Sequence, residues 1–375
     1  MAHIIDYLDW RGDLPFAVSP FNEVDNYILC KLGELDYSDV LPPGQTMTVS
    51  QLPDTVFADG REPLLGLLSS SQLIPLLKRL PETRRFRNLR LSGFVNCVDP
   101  EQNEQFSALT ITLPNATRFV SFRGTDDTIV AWKEDFLLSV EDVIAAQRDA
   151  LDYLLQTAET PGSLIVGGHS KGGNAAVYAA MAAPPAVQDR ILAVYNNDGP
   201  GFRENMLVRP AYLRIRPKVH TLVSQHSMVG KLLCHETNFQ IIRSDRAWIS
   251  AHDALNWQVL GTKFVRCEDF AAPSKAFEAA LTDLQARMNQ EERQQFINAL
   301  FDILTSTGAV TLTDLTEHRL RQALLMAREL RQAPEVYRFM LSLAGLTTKK
   351  TWESARDALS SPTQLYHRFR KNKPD

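Results

Sequence analysis

Residues 164–176 read Leu-Ile-Val-Gly-Gly-His-Ser-Lys-Gly-Gly-Asn-Ala-Ala. A short aliphatic run ends in small residues, a serine stands among them, and an alanine-rich run follows. In that setting Gly168-x-Ser170-x-Gly172 is the pattern of a nucleophile elbow: a strand turns sharply at a serine and continues as a helix. The glycines have a mechanical reason. The serine backbone is strained, and a side chain at Gly168 or Gly172 would collide with the neighbouring strand or helix. The spacing G-x-x-x-x-G-K-[ST] of a phosphate-binding loop is absent. The helix that follows, expected over 173–183, is small on every face and can lie close to a sheet.

The segments around the turn extend the expectation. Leu91 to Val98, Phe106 to Leu113 and Arg118 to Phe122 read as strands, with Asp99-Pro100 and Pro114-Asn115 as tight turns between them. They predict an antiparallel start to a sheet. Trp132 to Phe136 and a long amphipathic helix from Val140 to Thr157 come next. After them strand 163–168, helix 173–183 and strands 191–196 and 219–224 follow in order. That alternation argues for an α/β fold with a mostly parallel sheet covered on both faces. Residues 1–85, helical in spacing and broken at Leu41-Pro42-Pro43-Gly44, read as an N-terminal helical layer on a core at 86–272. Residues 45–80 within that layer are expected to be helical. Residues 273–375, rich in Leu, Ala, Gln, Arg and Glu, read as a helical C-terminal region.

Composition narrows the function classes. With 375 residues, 44% of them hydrophobic, the chain can bury a large core. Its net charge of -4 gives no bias toward nucleic acid. Cys30, Cys97, Cys234 and Cys267 are widely spaced, without C-x-x-C, and read as reduced thiols of a cytoplasmic protein. The first residues lack the basic and apolar regions of a signal peptide. No H-E-x-x-H or similar spacing occurs, so no metal or cofactor is expected. Nothing in the sequence sets an oligomeric state.

A serine hydroxyl needs a histidine to take its proton, and that histidine needs an acid to orient it. Around an elbow the chain order is serine, acid, histidine. Of the eight histidines, His3 precedes the serine, His169 lies inside the elbow facing the wrong way, and His318 and His367 fall in the helical region. His220 begins a strand. His252, in the polar stretch from Trp248 to Trp257, is the preferred base, ahead of His226 and His235. Asp198 is the preferred acid, because it ends a strand in Asn197-Asp198-Gly199-Pro200-Gly201, where an open α/β sheet places its active site. The same residues also make an ordinary turn. Asp253, Glu236 and Asp245 are the rival acids. The expected oxyanion donors are the backbone N–H of Lys171 and the loop at Thr125. An alternative role for neighbouring Arg123 is a structural pair with Asp135.

These pieces resemble the class 3 lipase branch of the serine α/β-hydrolases. The likeness lies in Phe122-Arg123-Gly124-Thr125 with Trp132 and Asp135, and in Gly168-His169-Ser170-Lys171-Gly172-Gly173. The chain is more closely similar to an uncharacterised, mainly bacterial lipase-like family with a G-H-S-K-G-G-N elbow. Its further segments read here as Asp198-Gly199-Pro200-Gly201-Phe202, Ser227-Met228-Val229-Gly230-Lys231-Leu232, and His252 with Trp257. The likeness spans roughly residues 1–270. It implies an α/β-hydrolase fold, a Ser170–Asp198–His252 triad and a small-molecule ester or acyl lipid as substrate. Class 3 lipases carry their acid where Ser227 stands here, so the carboxylate must come from Asp198 or the triad is incomplete. In the latter case the chain is a catalytically inactive binding protein that kept the elbow. Two further expectations concern charge. The Lys171 ammonium would favour anionic substrates, and the basic tail His367 to Lys373 is a candidate for peripheral membrane contact.

Overall fold

An eight-stranded sheet, antiparallel at its start and parallel from its fourth strand onward, sets the frame of this computed structural model, which describes residues 1–60, 62, 70–235, 239–286, 288–317, 326 and 336. The strands are β1 (Thr46–Thr48), β2 (Arg90–Asp99), β3 (Glu104–Thr112), β4 (Arg118–Phe122), β5 (Leu164–His169), β6 (Ile191–Asn197), β7 (Val219–Ser224) and β8 (Gln240–Ile242). They form one sheet in chain order. The pairs from β1 to β4 are antiparallel, and β4 through β8 pair in parallel. Strands β3, β4 and β5 are buried along nearly their whole length, and β5 is a near-continuous apolar and small run, as a parallel strand covered on both faces is.

Two adjacent glycines show how the faces are covered. Neighbouring residues on a strand point to opposite sides. A Cβ at Gly167 would lie 2.8 Å from Asn26 Oδ1 and 2.9 Å from the Phe119 ring, whereas one at Gly168 would lie 2.2 Å from the Gly172 backbone. One face therefore carries the N-terminal helices α1 (Ile4–Arg11), α2 (Glu23–Leu32) and α3 (Leu73–Arg79). The other carries α4 (Ile129–Leu137), α5 (Ala145–Ala158) and α6 (Lys171–Ala182). On the N-terminal side, Ile4, Tyr7, Tyr27, Ile28 and Leu29 share one buried core with Leu109, Ile111, Phe119, Ile165 and Trp257.

Local chemistry fixes the N-terminal layer. The Asn22 side chain accepts from the N–H groups of Val24 and Asp25, and Asp25 returns a bond from the Asn22 N–H, closing a capping box on α2. The Asp25 carboxylate is fully buried and pairs with Arg85. That guanidinium also donates to the carbonyls of Leu14, Ser19 and Pro20, so one arginine ties the stretch before α2 to the start of the core.

Several local expectations change. Residues 45–80 are not continuous helix: Thr46-Met47-Thr48 pairs with β2, and Val49–Asp54 is a 3-10 helix containing Pro53. A proline inside that stretch removes a helical donor, and the threonines favour the extended edge. Helix α5 starts at Ala145 rather than Val140. Its first turn is closed by the Gln147 side chain, which accepts from the Ile144 N–H at 3.2 Å. The three-residue strand β8 had no sequence signal of its own. Chain contacts divide the protein into two units, Met1–Arg287 and Met288–Asp375. The helix Ala272–Ala286 lies in the first unit, although residues 273 onward read as part of the C-terminal region. In the second unit Asn289 caps the helix Gln290–Thr305, accepting from the Glu292 N–H at 3.0 Å. A further helix runs over Leu312–Glu317. No helix among the described residues is long and apolar enough to cross a membrane. The basic tail, His318, His367 and Glu236 lie outside the described residues.

Candidate active site

Ser170 sits between β5 and α6 with φ 58° and ψ −133°. A side chain rarely adopts that backbone, and the surroundings must hold it. The two flanking glycines do so by close approach. A Cβ at Gly172 would stand 2.1 Å from the Phe122 carbonyl oxygen, and one at Gly168 would strike the Gly172 backbone. The loop after β4 crosses directly over the serine: a Cβ at Gly124 would lie 2.7 Å from the His169 carbonyl oxygen and 3.1 Å from Ser170 Cβ. Arg123-Gly124-Thr125 is thus next to the elbow, where the sequence placed it.

Asp198 follows β6, whose neighbour is β5. Its backbone also lies at positive φ, 53°. Its N–H donates to the Leu222 carbonyl at 2.7 Å, and the side chain is fully buried. Oδ1 accepts from the Ser224 N–H at 2.9 Å, and Oδ2 lies 2.7 Å from Nδ1 of His252. A carboxylate can only accept here, so Nδ1 carries the proton and Nε2 keeps its lone pair. His252 lies between two 3-10 turns, Trp248–Ala251 and Ala254–Asn256. Trp257, fully buried, closes that loop by donating from its indole to the Ala251 carbonyl at 2.9 Å. The acid and histidine preferred from the sequence therefore meet. Ser170 joins them through backbone: its N–H donates to the Asn197 carbonyl at 3.0 Å, one residue before Asp198. Among the described residues the Ser170 hydroxyl makes no hydrogen bond, to the His252 ring or otherwise.

The rival residues are engaged elsewhere. His226 faces Gln225, His220 stacks on Tyr195 at 5.0 Å, and Asp245 pairs with His3 at 3.0 Å. His235 stands 6.2 Å from the Phe239 ring. Asp253 turns away from the imidazole beside it. Burial opposes its charge, yet Lys31 and His169 hold its carboxyl down at about 2. Ser227, at the usual lipase acid position, accepts from the Gly230 N–H at 2.8 Å and takes no part at the ring.

Two readings of charged side chains, at Lys171 and Arg123, do not hold. The Lys171 ammonium does not face substrate. It is buried, 2.6 Å from Glu134 Oε2 and 2.7 Å from the Gln105 carbonyl. Glu134 in turn accepts from the backbone N–H groups of Gln105 and Ala146. A long side chain leaving the first turn of α6 reaches the β3 end more easily than the cleft, and burial with a carboxylate satisfies its charge. Arg123 does not pair with Asp135 either. It donates to Asn96 at 2.9 Å, and Asp135 receives the Thr125 hydroxyl at 2.5 Å. Burial pushes the Asp135 carboxyl up to about 6 against the pull of Lys171 and Thr125. Glu134 carries no sequence signal, because its partner is fixed only once β3, α4 and α6 converge. Among the described residues no group of three or more His, Cys, Asp or Glu is placed to hold a metal ion.

No curated protein and no solved structure matches the chain. A family model described as Mbeg1-like matches residues 80–302, a segment that holds the elbow, Asp198 and His252 and exceeds half the chain. On that match the chain belongs to the Mbeg1-like family.

Proposed function

We propose that the protein is a serine hydrolase of the α/β-hydrolase kind, acting on a carboxylic ester such as an acyl lipid. The observation that carries this reading is the 2.7 Å contact between Asp198 and His252, made across 54 residues by the pair that chain order selects. The association of the Mbeg1-like family with lipase-like proteins agrees with it.

In this reading Ser170 Oγ attacks the ester carbonyl carbon while His252 Nε2 takes its proton. Asp198 keeps the imidazole in the tautomer with Nδ1 protonated and stabilises the imidazolium that forms. The carbonyl oxygen becomes an oxyanion, which needs donors already in place. Lys171 is the first residue of α6, so its N–H has no partner within the helix and is free to serve. The second donor in this reading is the backbone N–H of Thr125 in the loop over the serine, since the Thr125 hydroxyl gives its proton to Asp135. Loss of one such donor costs about 3 kcal/mol of transition-state stabilisation. Collapse of the intermediate expels the alcohol with the proton returned by His252, and water then releases the acid by the same route.

The test is labelling of the purified protein with a fluorophosphonate. Wild type is expected to label, and Ser170→Ala and His252→Ala are expected not to. An unlabelled wild type ends the reading. It would favour a ligand-binding protein that retains the elbow, the role that the unbonded Ser170 hydroxyl also permits.

A further inference from the structure

His169 was set aside as a base because it points away from the cleft, and the structure gives that ring another task. Its Nε2 lies 3.0 Å from the backbone carbonyl oxygen of His252. A carbonyl can only accept, so the His169 proton sits on Nε2. The two rings lie 4.5 Å apart, tilted by 37°. Burial, Lys31 and His252 lower the His169 ring's pKa against the opposing pull of Glu34.

Behind this ring lies a buried group of charges from the N-terminal layer. Glu34 Oε1 is 3.4 Å from His169 Nδ1. Lys31, on α2 and only 2% exposed, bonds both oxygens of Glu34 at 2.9 and 3.0 Å. The same ammonium lies 3.3 Å from Asp253, the residue next to His252. Tyr27, also on α2, donates its hydroxyl to Asp253 at 2.9 Å and accepts from the Ala254 N–H at 2.9 Å. The backbone on both sides of the His252 ring is therefore held, at its carbonyl by His169 and at the next side chain by α2. Such charges are costly to bury and contribute only when fully paired. Here Lys31 is paired with both Glu34 and Asp253, and through Asp253 and Tyr27 the group reaches the histidine loop.

We propose that His169 is a positioning residue for His252 and that helix α2 with the residue pair just after it, through Tyr27, Lys31 and Glu34, holds the loop that carries the imidazole. These N-terminal residues lie before the segment that the family model covers. The inference rests on the reading of Ser170 and His252 as nucleophile and base. It differs from that reading in what it requires, namely that an N-terminal element sets the angle of the base.

The test compares His169→Phe and His169→Leu, which lack the donor, with His169→Gln, whose amide can restore one near the Nε2 position. Two readouts are taken. One is the maximal rate of fluorophosphonate labelling and the probe concentration at half-saturation. The other is the proton NMR signal of His252 Nδ1, shifted far downfield by Asp198. The apolar variants should label up to about 10²-fold more slowly, the scale of a small misplacement of a reacting group. Half-saturation should be unchanged, the His252 signal should broaden, and Gln should recover both. Wild-type labelling and an unchanged signal in the apolar variants would overturn the proposal. If wild type itself does not label, the hydrolase reading fails, and the NMR signal alone decides this one: broadened supports it, unchanged overturns it. Should both apolar variants melt before assay, Lys31→Met carries the same two readouts with the same expected directions.

Discussion

At the scale of single residues, the site turns on where protons sit. Asp198 holds one on Nδ1 of His252. Asp198→Asn keeps the shape but can donate to Nδ1, which turns the imidazole to the tautomer that cannot accept from serine. If the proposed hydrolase activity holds, ester turnover should then fall by about 10⁴-fold with binding little changed; steady-state kinetics separate the two. Asp135 gives a second prediction, with a definite sign. Burial raises its carboxyl from 3.8 to about 6. The folded protein therefore holds this proton more tightly than the unfolded chain. The stability linked to it is fully present below about pH 4 and is lost as pH rises through about 6. Asp135→Asn removes that dependence, so melting temperatures followed across this window should change less with pH in the variant than in wild type.

At the scale of elements, the elbow is held from below by one ion pair. Lys171 leaves the first turn of α6, and Glu134 belongs to α4; both are buried, and they meet at the backbone of β3. Removing one partner strands the other charge in an apolar interior. Lys171→Met should cost about 3–5 kcal/mol of stability by chemical denaturation, and Lys171→Met with Glu134→Gln should recover part of that loss. This pair marks how far the sequence could be read. The elbow was legible because its demands are local: glycines where strand, serine and helix crowd together. Asp198 and His252 were legible because chain order and strand ends limit where an acid and a base can stand. The fate of the Lys171 ammonium was not, since it depends on three elements distant in sequence. Strand β8 was missed for a related reason. Three residues carry too little periodicity to stand out, and their pairing is dictated by β7. The N-terminal tie to the histidine loop was hidden as well, because Lys31 and Glu34 read as ordinary polar residues until Asp253 and His169 come up against them.

At the scale of the whole chain, the family segment and the folding unit do not coincide. The matched segment begins at residue 80, whereas the first unit runs from Met1 to Arg287. The difference is substantial in physical terms. Without residues 1–79 one face of the sheet loses α1, α2 and α3, and Leu109, Ile111, Phe119, Ile165 and Trp257 lose the partners that bury them. Each large apolar side chain returned to water costs roughly 1.5–3 kcal/mol, and a handful of them exceeds the whole stability of a typical domain. Asp25 and Lys31 would also be gone, leaving Arg85 and Asp253 as buried charges without their partners. A chain limited to residues 80–302 should therefore be insoluble or lack a cooperative melt, even though it retains Ser170, Asp198 and His252. A chain ending at residue 287 keeps every side chain named at the site and both covered faces of the sheet. It should melt cooperatively and label with fluorophosphonate at the wild-type rate. Measuring the melting transition and the labelling rate of the two truncations side by side checks this. A folded, labelled 80–302 fragment would show that the N-terminal layer is dispensable, and a 1–287 chain that folds but fails to label would show that the C-terminal unit contributes to the site.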